Sequence, residues 1–230
     1  MKHFSFYEWI PGVTEHNVFI VAALVMTGAI VLISLAGRFA LGSGETAIQP
    51  AGSFSLKGFF EVFLESILKL TKMVMGDGSE RWVPLFSAIF FYIMMSNLSG
   101  LLPGINASTQ DINTSLAIGL FTFFMYNFFG VSHGGPAYFK HFLGPVWWLA
   151  WLMLPLELVS HIVRPMSLGL RLSGNLNGDH TVLGVFTNLV PFGVPVVFYG
   201  LGLFVCIVQA LVFTLLSMIY LKMATVTDHH

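Results

Sequence analysis

Charge is scarce in this sequence. Of its 230 residues, 10 are Lys or Arg and 11 are Asp or Glu, so 9% are charged, where soluble domains carry about 25%. With 56% hydrophobic residues, so few charges could not cover the surface of a soluble domain of this size. Intrinsic disorder is excluded, because it needs low hydrophobicity and high net charge. A net charge of −1 without a basic patch argues against nucleic-acid binding.

Cysteine and enzyme motifs are scarce as well. Cys206 is the only cysteine, which excludes an intrachain disulfide and a cysteine-cluster metal site. Ser132–His133 and Ser160–His161 are adjacent pairs, yet the sequence has neither a G-x-S-x-G elbow nor an H-E-x-x-H zinc motif. We therefore predict a polytopic membrane protein that is not itself an enzyme and uses no metal or cofactor.

Apolar stretches divide the chain into predicted membrane helices, since about 20 apolar residues cross the hydrocarbon core. The first stretch is too long for a signal peptide, and no basic segment precedes it. A helix over the last stretch would be about 43 Å long, so it must tilt strongly in a core of about 30 Å. We predict an all-α fold, one membrane domain over 1–230 with five transmembrane helices, the last two long and strongly tilted. The predicted spans are 18–36, 82–102, 115–132, 142–178 and 195–223.

A further segment, 54–76, is amphipathic. Lys57, Glu61, Glu65 and Lys69 follow one another at i+4 steps, and apolar side chains fill another face. Two interpretations fit this pattern: a helix lying on the membrane surface, or a surface helix packed on a partner protein.

The distribution of Lys and Arg predicts the orientation in the membrane. With five spans and the N-terminus outside, only Lys2 among the loop cations lies outside, together with Glu8, Glu15 and Asp111. We therefore expect the C-terminus in the cytoplasm. The basic residues on that side are Arg38, Lys57, Lys69, Lys72, Arg81, Lys140 and Lys222.

Three charges interrupt the fourth span. Glu157, Arg164 and Arg171 stand seven residues apart, so they form one polar stripe about 21 Å long on a helix. For Glu157 and Arg164, a functional role and a boundary position that reaches the headgroups both fit. Arg171 lies further along the helix, without an obvious carboxylate partner, and keeps its charge at any physiological pH. We predict a functional role for Arg171.

Small and polar residues accompany this stripe. Ser160, Ser167 and Gly174 repeat the same period and would let another helix approach closely. His161 is spaced to bond Glu157 across one turn. A polar cluster follows Arg171 toward the outer side, and the last span carries a lone amide, which commonly bonds another helix. These residues are Asn175, Asn177, Asp179, His180 and Gln209.

Several motifs resemble those of one family. Ser167–Asn175 (SLGLRLSGN) resembles the signature of subunit a of the bacterial F-type ATP synthase. Ser96–Gly104, Asp111–Leu116 and Gln209–Phe213 are similar to further motifs of that family, so the resemblance covers nearly the whole chain. It implies five spans and one amphipathic helix in the bacterial inner membrane. It also implies a proton-translocating stator subunit, with two offset half-channels against the rotating c-subunit ring, beside b-type peripheral stalk subunits and the rest of the complex.

The resemblance also implies roles for single residues. Arg171 matches the arginine that faces the c-ring carboxylate, and Gln209 the glutamine opposite it. Asn175 and His180 match the outer half-channel, where relatives often carry a titratable group near the position of Gly202; Asp179 is expected to substitute for it. Positions of the inner half-channel match Glu157, Ser160 and Ser167, which adjoin His161.

One alternative is a secondary transporter or ion channel that works alone. Such a protein would transport its substrate as a purified chain and place its sites at broken helices. The sequence shows no inverted repeat, which weakens this class.

Overall fold

The computed structural model describes residues 13, 17–41, 55–102, 104–135, 150–189 and 193–225. All regular elements in these ranges are helical, so the predicted all-α class is confirmed. Short 3₁₀ turns, Ser79–Trp82 and Ser108–Gln110, precede the third and fourth long helices. The long helices are α1 (Val18–Leu41), α2 (Leu56–Met75), α3 (Val83–Gly100), α4 (Ile112–Gly134), α5 (Ala150–Leu189) and α6 (Val194–Thr225).

Four stretches of the described chain are long and apolar enough to cross a membrane: 18–39, 79–100, 112–133 and 194–225. Helix α5 is not among them, because its charged and amide side chains interrupt its apolar sequence. Its 40 residues would reach about 60 Å as a straight helix, so α5 is long enough to cross a membrane. The count of five spans therefore stays a prediction. Residues 142–149 of the predicted fourth span, Lys2, Glu8, Glu15 and Lys140 lie outside the described residues.

Helix α2 has the predicted amphipathic character. It begins after Ser55, whose Oγ accepts a hydrogen bond from the backbone N–H of Gly58 at 3.2 Å. On its polar face, Lys69 Nζ lies 2.7 Å from an oxygen of Glu65. On its apolar face, the ring of Phe63 packs on α3, 5.6 Å from the ring of Phe91. This packing joins α2 to the rest of the bundle through its apolar side.

Basic residues gather where α2, α3 and α6 end or begin. Lys72 Nζ lies 2.7 Å from Glu80, and the Glu80 carboxylate raises the pKa of the Lys72 ammonium. Lys222 Nζ donates to the backbone carbonyl of Val74 at 2.9 Å. Arg81 lies over the ring of Trp82. Lys72, Arg81 and Lys222 therefore lie at the same end of the bundle, where Glu80 pairs with one of them.

Two glycines let α4 and α5 cross closely. A Cβ on Gly119 would lie 2.6 Å from the backbone oxygen of Pro165, and a Cβ on Gly169 would lie 2.9 Å from Leu116 Cα. Only glycine allows two backbones to approach this far. The crossing fixes α5 two residues before Arg171, with Leu172 fully buried in the core.

Candidate ion-translocation site

Arg171 points away from the core of the bundle. Its side chain is exposed, while its neighbour Leu172 is buried against the other helices. Within the described residues, Arg171 takes part in no hydrogen bond or ion pair. The sequence predicted an arginine without an intrahelical carboxylate, and the described residues of the other helices do not supply one either.

The face of α5 that carries Arg171 is lined with small residues. At about 100° per residue, Ser160, Ser167, Gly174 and Gly178 all fall within about 60° of Arg171. A Cβ on either glycine would meet nothing within 4 Å. The close approach predicted for this line is thus not made by a described helix of this chain. The face stays open.

Next to this face, Asn175 joins α5 to α6. Its Nδ2 donates to Oε1 of Gln209 at 2.9 Å. Gln209 is only 5% exposed and sits beside the buried Ala210 and Phe213. Two residues predicted from separate motifs therefore meet one helical turn from Arg171. The lone amide of the last span bonds another helix, as its apolar surroundings predicted.

Toward the other end of α5, two charges of the stripe form an ion pair with each other. Glu157 Oε1 lies 3.4 Å from Arg164 Nη2, with both side chains partly exposed. The guanidinium carbon of Arg164 also lies 5.6 Å from the centre of the Tyr220 ring on α6, within reach of a cation–π interaction. Of the three charges in the stripe, two are thus paired and Arg171 is left facing outward.

His161 lies buried between α5 and α4. Its Nε2 is 2.8 Å from Oδ1 of Asn127, and the rings of Phe123 and Tyr126 stand edge-on to it. The i+4 spacing pointed to Glu157 and gave no hint of Asn127, because that contact depends on how α4 lies across α5. The contact connects His161 to the interface between the two helices.

At the opposite end, Asp179 and His180 line one small cavity. Its volume is about 20 Å³, roughly the space of one water. Gly202 also borders it, and a Cβ there would lie 2.9 Å from Leu101 Cδ2. Leu101 thus crowds the position where a titratable side chain was expected from the resemblance. Asp179 shares the cavity instead.

Sequence reasoning missed a set of polar contacts on the far side of α5. Ser173 Oγ donates to the backbone carbonyl of Gln110 at 2.7 Å, and Asn177 Nδ2 donates to the same carbonyl at 3.1 Å. Asn177 itself stood out as part of the polar cluster after Arg171. Its partner did not, because no local spacing relates α5 to the turn before α4.

The ATP synthase A chain family matches residues 18–222 of this sequence. The chain belongs to this family. The match runs through α1 to α6 and includes every candidate site residue described above.

Curated relatives match over similar lengths. ATP synthase subunit a of Bdellovibrio bacteriovorus is 49% identical over 227 residues, covering 98% of this chain and 99% of the relative. ATP synthase subunit a 1 of Syntrophotalea carbinolica is 39% identical over 215 residues, covering 94% and 90%. ATP synthase subunit a of Oleidesulfovibrio alaskensis is 41% identical over 167 residues, which cover 73% of this chain and 72% of the relative.

Membership in the ATP synthase A chain family gives the function. The chain is the proton-translocating subunit of the membrane sector and a component of the ATP synthase complex. Together with the long apolar helices, the family makes it a multi-pass protein of the inner membrane. The comparisons give no support to a transporter or channel that works alone.

Proposed function

We propose that the chain conducts protons through two offset half-channels that meet a rotating c-subunit ring at the open face around Arg171. In this proposal the chain moves ions and carries out no bond chemistry itself. Helix α5 is the fourth of the five spans in chain order, and α5 and α6 form the surface past which the ring turns.

The observation that carries this proposal is the isolation of Arg171 on a face of small residues. An unpaired charge inside a membrane is unfavourable, so its opposite charge must come from outside the described chain. Gly174 and Gly178 leave room for a helix of another subunit to come close. A ring that brings one carboxylate after another to this face satisfies both requirements.

The fixed charge of Arg171 then separates the two half-channels. It attracts a deprotonated ring carboxylate, and it repels protons that would otherwise run straight from one half-channel to the other. The hydrogen bond between Asn175 and Gln209 holds α5 and α6 together beside it. A carboxylate that has taken up a proton is neutral, so it can leave Arg171 and turn toward lipid.

The outer half-channel leads past Asn175, Asp179 and His180. Asp179 and His180 share a cavity, and an imidazole can accept and donate protons on one path. Asp179 takes the part of the titratable group that Gly202 lacks.

The inner half-channel leads past the residues at the other end of α5. A proton released from the ring passes Ser160 and Ser167 on the open face and reaches Glu157, which Arg164 holds in place. His161 lines the boundary of this path at the α4 interface. The candidate ion-translocation residues are therefore Arg171, Gln209, Asn175, His180, Asp179, Glu157, Ser160, Ser167 and His161.

We place the N-terminus outside and the C-terminus in the cytoplasm. The cluster of Lys72, Arg81 and Lys222 at one end of the bundle supports this, since basic residues concentrate on the cytoplasmic side.

A second partner surface lies between α1, α3 and α4, away from the open face of α5. An open groove of about 1050 Å³ there is lined mostly by apolar side chains. Ala23, Ala88 and Ala117 in its walls allow a further membrane helix to approach. We assign this groove to a b-type peripheral stalk subunit.

The test is Arg171→Ala in the assembled ATP synthase. Coupled ATP synthesis should fall to background, with the complex present in normal amount, because the ring carboxylate loses its counter-charge. Thr187→Ala is the matched control on the same helix, since among the described residues the Thr187 hydroxyl bonds the Leu183 carbonyl of its own helix and no other group. Coupled synthesis that survives in the Arg171→Ala complex would contradict the proposal.

A further inference from the structure

We infer that Gln110, Ser173 and Asn177 form a latch that sets the rotation of α5 about its own axis and thereby aims Arg171. We call these residues the Gln110 latch. The inference rests on the proposed role of Arg171 and adds the residues that position it.

The latch joins α5 to the turn before α4 at one backbone carbonyl. Both Ser173 Oγ and Asn177 Nδ2 donate to the Gln110 carbonyl, at 2.7 and 3.1 Å. Gln110 Nε2 returns a hydrogen bond to Asn177 Oδ1 at 3.1 Å. Ser173 is 4% exposed, so its bond is shielded from competing water.

Ser173 differs from most hydroxyl side chains on these helices. Thr181, Thr187 and Ser217 donate to the carbonyl four residues earlier in their own helix, the usual choice in a membrane helix. Ser173 instead donates to a residue 63 positions away. Its hydroxyl therefore serves a contact between elements.

The turn that receives these bonds is itself held by hydrogen bonds to α3 and α4. Ser108 and Thr109 are fully buried, and the Ser96 hydroxyl on α3 lies within hydrogen-bond distance of both. Thr109 Oγ1 also donates to Asn97 Oδ1 at 2.8 Å, and Ser115 on α4 donates to the Thr109 carbonyl. The Gln110 carbonyl is thus held on a platform tied to α3 and α4.

The latch and the bond to Gln209 hold α5 from opposite sides. At about 100° per residue, Ser173 and Asn177 lie about 200° and 240° around α5 from Arg171, while Asn175 lies only about 40° from it. At one height of the membrane, α5 is therefore held on one side by the platform and on the other by Gln209. Two anchors on opposite sides oppose rotation of the helix about its axis, and Arg171 lies two residues before this clamped segment.

The experiment removes the hydrogen bonds of the latch and measures how well proton flow stays coupled to ATP synthesis. It uses membrane vesicles that carry the whole complex. Variants are Ser173→Ala, Asn177→Ala and the double variant, with Ser173→Thr to keep the hydroxyl and Thr187→Ala as control. ATP synthesis, ATP-driven proton pumping and passive proton leak are each expressed per assembled complex.

In the double variant we expect about a tenfold loss of coupled synthesis, the factor equivalent to one or two net hydrogen bonds. Proton leak should rise, because a misaimed Arg171 no longer separates the half-channels. Ser173→Thr and Thr187→Ala should behave like the unchanged chain.

Two results would overturn the inference. One is normal synthesis and leak per complex in the double variant. The other is a smaller amount of complex with normal rates per complex, since the latch would then only stabilise the fold. Arg171→Ala, measured in parallel, keeps the two proposals apart: coupling that survives it contradicts the role of Arg171, whatever the latch variants do.

Discussion

Replacing Gly119 by alanine places one methyl group at the crossing of α4 and α5. The added Cβ would lie 2.6 Å from the backbone oxygen of Pro165. A flexible side chain could move aside, but a backbone oxygen moves only with its helix. Gly119→Ala therefore forces α4 and α5 apart.

The size of the effect follows from this distance. Ordinary contact of about 3.4 Å requires the helices to separate by about 0.8 Å. Overpacking of this kind costs about 1–3 kcal/mol. The separation also displaces the segment that carries Arg171, so coupled synthesis per complex should fall together with stability.

The matched control is Gly184→Ala on α5, where a Cβ meets nothing within 4 Å. An alanine in an open helical position should be neutral or stabilising by up to about 1 kcal/mol. Thermal inactivation of the purified complex measures both variants. Equal stability of Gly119→Ala and Gly184→Ala would refute the reasoning, because the closeness of the crossing would then have no energetic consequence.

Two further predictions concern polar contacts between helices. Gln209→Leu removes the acceptor for Asn175, so we expect a partial loss of ATP-driven proton pumping at normal assembly; loss of folded protein would point to packing instead. Asn127→Leu removes the contact at His161 Nε2 and should lower thermal stability by about 1–2 kcal/mol, whereas Asn188→Leu at an exposed position of α5 should not; equal melting of the two variants would argue against it.

Composition and periodicity go a long way for this protein. The low charge content and the apolar stretches predict an all-helical membrane protein, and the family resemblance predicts the proton-translocating subunit. The seven-residue spacing places Glu157, Arg164 and Arg171 on one face, because helical geometry alone determines which side chains of one helix share a direction.

Contacts between helices are less accessible to sequence reasoning. The bond from His161 to Asn127, the bond from Ser173 to Gln110 and the glycine crossing all depend on how two helices lie against each other. Many side-chain pairs satisfy the same local spacing, and only the packed bundle selects among them. For the same reason, the sequence could mark Arg171 as unpartnered within its helix but could not determine whether a neighbouring helix would pair it.

The mixed polar and apolar character of α5 leads us to expect an order in which the helices enter the membrane. Unlike α4 and α6, α5 lacks an apolar stretch that would partition into lipid unaided. Glu157 and Arg164 pair within α5, whereas Asn175 donates to Gln209 on α6 and His161 lies within hydrogen-bond distance of Asn127 on α4. These contacts between helices lower the cost of keeping polar side chains in the membrane, and they need α4 and α6 beside α5. We therefore expect the apolar helices to enter the membrane first. Helix α5 should follow them, beside neighbours that are already in place.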